Sequence, residues 1–511
     1  MKLAKEYFVK RTTQTPAEAY YYLGEIAYKE GNMAEAKANY EKGLAANPES
    51  ALAAIGLAKL DLKSNPKVAG DQLSAIQKKN KKDVEVIIAI AKAYFDNDMQ
   101  AEGQKKIADA YKANKKSPLT YVLEGDLIGK NNPGSAAEKY EQAIYFDPKC
   151  TIAYMKEALM YEGINNNTSI DLLKKAVEIQ PDYTVSYKYL GRIYTQNGFY
   201  PEAIEAYKTF FKEGDYTLED IKHYITANYF TQQYDVANEL LAQGLAMEAN
   251  DFILNRLSMY TKNELKDYAG ASAAAEKFFS LPLPKDVKYI IQDYMAYGNI
   301  LSESGKKLEA IEQFKKAIEL DPAKIELNKE IATILANEDM NAEAAEFYKK
   351  YIELKGEAAD ATDFNQLARY YNYAGAALIA KTDDAEAKAK GIELLKEADK
   401  NFGVVAERVP DSYLGYYQRA QVNARMDPDT EQGLAKPYYE KVIEVLLSKP
   451  DPNTRVLEEA YQYLSYYYYL SFDKTKKAED KAFVKEYSHK VLEINPENPN
   501  GKALFEFANA K

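Results

Sequence analysis

Residues 20–48 read YYYLGEIAYKEGNMAEAKANYEKGLAANP, and the rest of the chain can be read outward from them. With Tyr20 as origin, apolar, aromatic or small residues fall at +3 (Leu23), +4 (Gly24), +7 (Ala27), +16 (Ala36), +20 (Tyr40) and +23 (Gly43), with Pro48 at +28. Spacings of three, four and seven put side chains on one face of an α-helix, so the stretch reads as two helices with one apolar stripe each. Small residues at Gly24 and Ala36 let the two backbones approach, and the aromatic side chains fill the space beside the crossing. Asn32 and Glu35 are placed to cap the second helix, and Thr15-Pro16-Ala17-Glu18 to start the first with an N-cap, a first-turn proline and a capping-box carboxylate.

The same offsets recur. From Tyr294 they give Tyr297, Gly298, Leu301, Ala310, Phe314, Ala317 and Pro322; from Tyr187 they give Leu190, Gly191, Tyr194, Ala203, Tyr207 and Phe210. The origins stand 167 and 107 residues apart, five and three units of about 33–36 residues. Weaker copies lie between, such as Gly125 with Ala136, Tyr140 and Pro148. A hairpin of this size cannot bury its own stripe and needs a neighbouring unit on each side.

These residues resemble the tetratricopeptide repeat (TPR) family, and long bacterial proteins built of little else. The resemblance implies an all-α, right-handed α-solenoid of about thirteen hairpins. Pro48, Pro148, Pro181, Pro322 and Pro496 are expected to stop second helices. The expected division is a half-hairpin at 1–14, an N-terminal array at 15–284, a C-terminal array at 285–498 with longer and less regular units after 358, and a capping helix at 499–511. The seam is read at Ser280-Leu-Pro-Leu-Pro284, and Lys381 to Lys390 lengthens one unit as a longer helix or a loop insertion. The half-hairpin start leads us to expect that residues upstream of Met1, a signal sequence among them, have been removed. That would favour the periplasm over the cytoplasm.

Composition narrows the chemistry. The net charge is −11 with acidic and basic residues interspersed, so no basic block exists to neutralise a run of phosphates, and nucleic acid is not an expected partner. No apolar run approaches the ~20 residues of a membrane span, so direct insertion is not expected either. The chain owns two histidines and one cysteine, three residues where a structural zinc site wants four ligands, and it has no glycine-rich phosphate loop. No cofactor and no enzymatic activity are expected. Cys150 reads as a buried thiol and His223 as an ordinary helix residue.

What stands out is 45 Tyr and 18 Phe beside no Trp. Beside the packing stripe, the first helix of several units carries a second stripe at spacings of three, four and three: Glu18, Tyr21, Glu25, Tyr28; Val185, Lys188, Arg192, Thr195; Gln292, Met295, Asn299, Ser302; and Glu459, Gln462, Tyr466, Tyr469. The family resemblance implies that this stripe lines a concave groove holding a protein or peptide partner. The candidate groove residues are therefore Tyr21, Glu25, Tyr28, Lys188, Arg192, Thr195, Met295, Asn299, Tyr466 and Tyr469. Lys188 and Arg192 are the nearest approach to the carboxylate-gripping set of some TPR proteins, which is not found in register. The alternative expectation is a glycan- or small-molecule-binding helical protein associated with outer-membrane uptake, against which the lack of tryptophan for sugar stacking weighs.

Overall fold

The computed structural model describes residues 2–212, 215–380 and 384–510, and every regular element among them is a helix. The helices pack in consecutive antiparallel pairs. Two compact units result, Met1–Leu283 and Pro284–Lys511. In the first, the helix Lys2–Arg11 precedes eight hairpins, from Pro16–Lys29 with Met33–Ala46 to Phe252–Glu264 with Tyr268–Ser280. In the second, five hairpins run from Ile291–Glu303 with Lys307–Leu320 to Thr454–Thr475 with Ala478–Ile494, and the helix Pro499–Asn509 follows. Each is an all-α TPR solenoid.

The hairpin crossing is built as the offsets require. Tyr40 is fully buried, and a Cβ on Gly24 or on Gly56 of the next hairpin would lie 2.3 Å or 2.4 Å from its ring. The same clash would arise at 2.6 Å between Gly125 and Tyr140, 2.8 Å between Gly191 and Tyr207, and 2.5 Å between Gly298 and Phe314. Glycine at this position makes room for the ring that anchors the second helix. Helices end at Ala46, Phe146, Ile179, Leu320 and Ile494, each two residues before one of the five prolines.

Local capping departs from expectation at one point. Asn32 accepts from the Glu35 amide and donates to its carboxylate, but Thr15 makes no side-chain cap bond. Asn65 likewise makes none, whereas Asn132 and Asn165 each accept from an amide three residues on. A capping box does form at Thr217 and Asp220.

After residue 358 the helices lengthen to 20 residues in Ala361–Ala380 and 24 in Ala385–Arg408. Lys381–Asp383, part of the Ala/Asp/Lys-rich stretch, lie outside the described residues, as do Met1 and Lys511; from Ala385 the stretch is helical.

Candidate functional site

In the first unit, the first-helix faces of successive hairpins are tied by ion pairs. Lys59 is 2% exposed, with its Nζ 3.0 Å from Glu25 and 2.6 Å from Asp96, and it sits 3.8 Å from the centroid of the Tyr28 ring. Glu25 also accepts from the Tyr40 hydroxyl at 2.7 Å, and the Asn97 amide donates to the Lys59 carbonyl. A buried ammonium is tolerated only when its charge and its donors are met, and here two carboxylates and a ring face meet them. The pattern repeats at Asp126, which accepts from Tyr140 of its own hairpin and pairs with Lys156 of the next. It continues with Arg192 to Glu162, Lys188 to Asp220, and Lys222 to Asp251. Glu25, Asp126 and Arg192 each directly follow the repeat glycine, so in these three hairpins that position carries a charge aimed at a neighbouring hairpin.

In the second unit, a cleft of about 690 Å³ opens between the helices Thr454–Thr475 and Pro499–Asn509. One wall is the stripe Glu459, Gln462, Tyr466 and Tyr469; the other is Asn500, Ala503, Leu504 and Phe507; Tyr439 and Tyr463 close the floor. The Tyr466 and Tyr469 rings stack at 6.3 Å, Phe507 meets Tyr469 edge-on at 4.8 Å, and Tyr439 lies 4.8 Å from Tyr463. Glu459 accepts from the hydroxyls of Tyr417 and Tyr439 at 2.6 Å and 2.8 Å. Burial, and then the Glu459 carboxylate, hold the Tyr439 phenol well above the usual range; burial pushes Tyr463 up to about 12. Both phenols are therefore neutral at physiological pH, and Tyr439, like Tyr417, acts on Glu459 as a donor.

The ten candidate groove residues fall into four environments. Tyr466, 42% exposed, and the half-buried Tyr469 meet in the cleft. Glu25, Tyr28, Lys188 and Arg192 are engaged with neighbouring hairpins as described, so Lys188 and Arg192 do not present a free pair of cations to a carboxylate. Tyr21 is buried against Tyr22 and Tyr40, Thr195 is buried with its hydroxyl donating to the Gly191 carbonyl, and Met295 packs on the core; Asn299 is exposed. Tyr21 turns inward against the fully buried Tyr40 ring. The ion-pair ladder went unread in the sequence, although a charge after the repeat glycine and an opposite charge 30 to 34 residues away signal it. Cys150 is buried, which raises its thiol pKa; burial lowers that of His223; His489 lies 3.3 Å from Glu493.

Residues 17–50 and 294–324 each match a tetratricopeptide-repeat family model. A small glutamine-rich tetratricopeptide repeat-containing protein of Mycosarcoma maydis is 30% identical over 144 residues, which cover 28% of this chain and 34% of that protein. The chain thus aligns with about a third of that relative's length. Among solved structures, the C-terminal part of a TPR repeat-containing protein from Cytophaga hutchinsonii is 27% identical, covering 55% of this chain and 98% of its own at a TM-score of 0.35. MamA from Desulfovibrio magneticus is 20% identical, covering 34% and 96% at 0.31. The fold and its stacked hairpins define an α-solenoid of the interaction-scaffold class. The chain carries tetratricopeptide repeats, matched at residues 17–50 and 294–324. No helix among the described residues is long and apolar enough to cross a membrane.

Proposed function

We propose that the chain is a non-catalytic scaffold that holds a segment of another protein, and that the tyrosine cleft of the second unit is where that segment docks. The observation that carries this reading is the convergence of all four members of the stripe Glu459, Gln462, Tyr466 and Tyr469 on one open cavity. Tyrosine suits such a surface, because it offers a large rigid contact area and a hydrogen bond for little lost rotamer freedom. A volume of 690 Å³ lies within the roughly 300–1,000 Å³ of ligand-holding clefts. By contrast, the first-helix side chains of the first unit spend their charges on one another, which favours a structural role for that ladder.

Selection of displayed peptides on the immobilised intact chain tests the proposal, with the Tyr466→Ala/Tyr469→Ala variant as counter-selection. Enriched peptides should lose about tenfold or more in affinity for the variant, as expected when two central aromatic anchors are removed. Peptides that bind both proteins equally would remove the cleft from the proposal.

A further inference from the structure

The cleft has a charge preference written into its lining. It is lined by the rings of Tyr439, Tyr463, Tyr466 and Tyr469, and Glu459 is the one charged residue among those that line it. The partners of that carboxylate are neutral: two phenols and, at 3.5 Å, the Gln421 amide. Among the described residues, no lysine or arginine lines the cavity. Cations nearby lie outside the lining: the Lys481 ammonium sits 5.8 Å from the Phe507 ring and donates to the Ala510 carbonyl, and Arg455, one turn before Glu459, acts on the Tyr417 phenol. At two other places in the chain a carboxylate beside tyrosine rings is met by a cation: Lys59 lies between Glu25, Asp96 and Tyr28, and Arg419 pairs with Asp399 while lying 4.2 Å from the Tyr438 ring. In the cleft the carboxylate and the rings are present, and no cation stands among the described lining residues.

Resting on the scaffold reading, we infer that the docked segment carries a cationic side chain, preferably arginine, which enters the cleft to lie against the tyrosine rings with its charge toward Glu459. A guanidinium is the better fit, since it is planar, weakly hydrated and stacks on aromatic faces while donating in its own plane. An acidic segment would face both the carboxylate and the negative ring faces.

The test uses the full chain with N-acetylarginine amide and its uncharged isostere N-acetylcitrulline amide, read by saturation-transfer NMR on the ligand at low salt. The arginine amide should bind about three- to tenfold more tightly than the citrulline amide. Tyr466→Ala should weaken both ligands. Glu459→Gln should erase the difference between them, and thermal unfolding of each variant checks that it folds; should Glu459→Gln not fold, the isostere comparison and Tyr466→Ala decide. Equal binding of the two amides overturns the inference, as does arginine binding that Tyr466→Ala leaves unchanged, which would assign it to the acidic surface at large. The scaffold reading fails separately: display-selected peptides that need Tyr466 but tolerate citrulline in place of arginine would keep the docking site and discard its charge preference.

Discussion

Lys59 illustrates how a single side chain couples three hairpins. Replacing it with methionine keeps the stem's volume but leaves Glu25 and Asp96 without their cation. Breaking a buried pair from one side costs about 3–5 kcal/mol when the orphaned group stays dry. Glu25 and Asp96 are 21% and 38% exposed and can partly rehydrate, so Lys59→Met should cost roughly 2 kcal/mol, read as a lower urea midpoint by circular dichroism. Adding Glu25→Gln should restore most of it, because the amide oxygen still accepts from Tyr40. Glu157 is a second isolated case. It is 5% exposed, and burial, reinforced by Glu141, pushes its carboxyl from 4.5 to about 7. A raised acid pKa means that the folded chain binds more protons than the unfolded one between pH 4.5 and 7, so this group's contribution falls as pH rises through that window. Glu157→Gln should match the parent near pH 5 and exceed it above pH 7 by up to about 3 kcal/mol, measured as the difference between urea midpoints across pH.

At the scale of the helix pair, the glycine facing the ring is the tightest requirement. Alanine at Gly24 would gain about 1 kcal/mol of helix propensity. Its Cβ, 2.3 Å from a ring that Gly56 also confines, would force overpacking that costs about 1–3 kcal/mol. The ring cannot retreat, so Gly24→Ala should lower the melting temperature, and Tyr40→Leu in the same background should recover part of the loss. The hairpins were legible in the sequence because local rules set them: a 3.6-residue period fixes the stripes, and proline two residues past a helix end fixes the stop. The cleft was half legible. Glu459, Gln462, Tyr466 and Tyr469 share a face by spacing alone, but the opposite wall comes from a helix that starts some thirty residues further on. Residues with the same spacing had different fates elsewhere. Lys188 and Arg192 found partners about thirty residues away, and Tyr21 and Thr195 turned into the packing. Those outcomes depend on how each hairpin is rotated against the next, which no helix-length window encodes.

On the scale of each whole unit, stability is a chain of neighbour terms: an interior hairpin is held on two sides and a terminal one on one. The helix Pro499–Asn509 is the extreme case in the second unit, with only one of its residues, Gly501, buried. It therefore belongs to the low-stability end of the opening spectrum, and its amides should exchange before those of Ile331–Leu335 in the interior core. The same helix supplies one wall of the cleft. Opening it destroys the site, so a ligand that binds only the closed form must slow its exchange by the factor 1 + [L]/Kd. At about ten times its Kd, a peptide that fills the cleft should slow exchange in Pro499–Asn509 by about tenfold, while leaving Ala51–Asp61 of the first unit unchanged. Hydrogen-exchange mass spectrometry resolves the two segments in one measurement. Uniform slowing would indicate general stabilisation, and no slowing at Pro499–Asn509 would place the bound peptide away from this cleft.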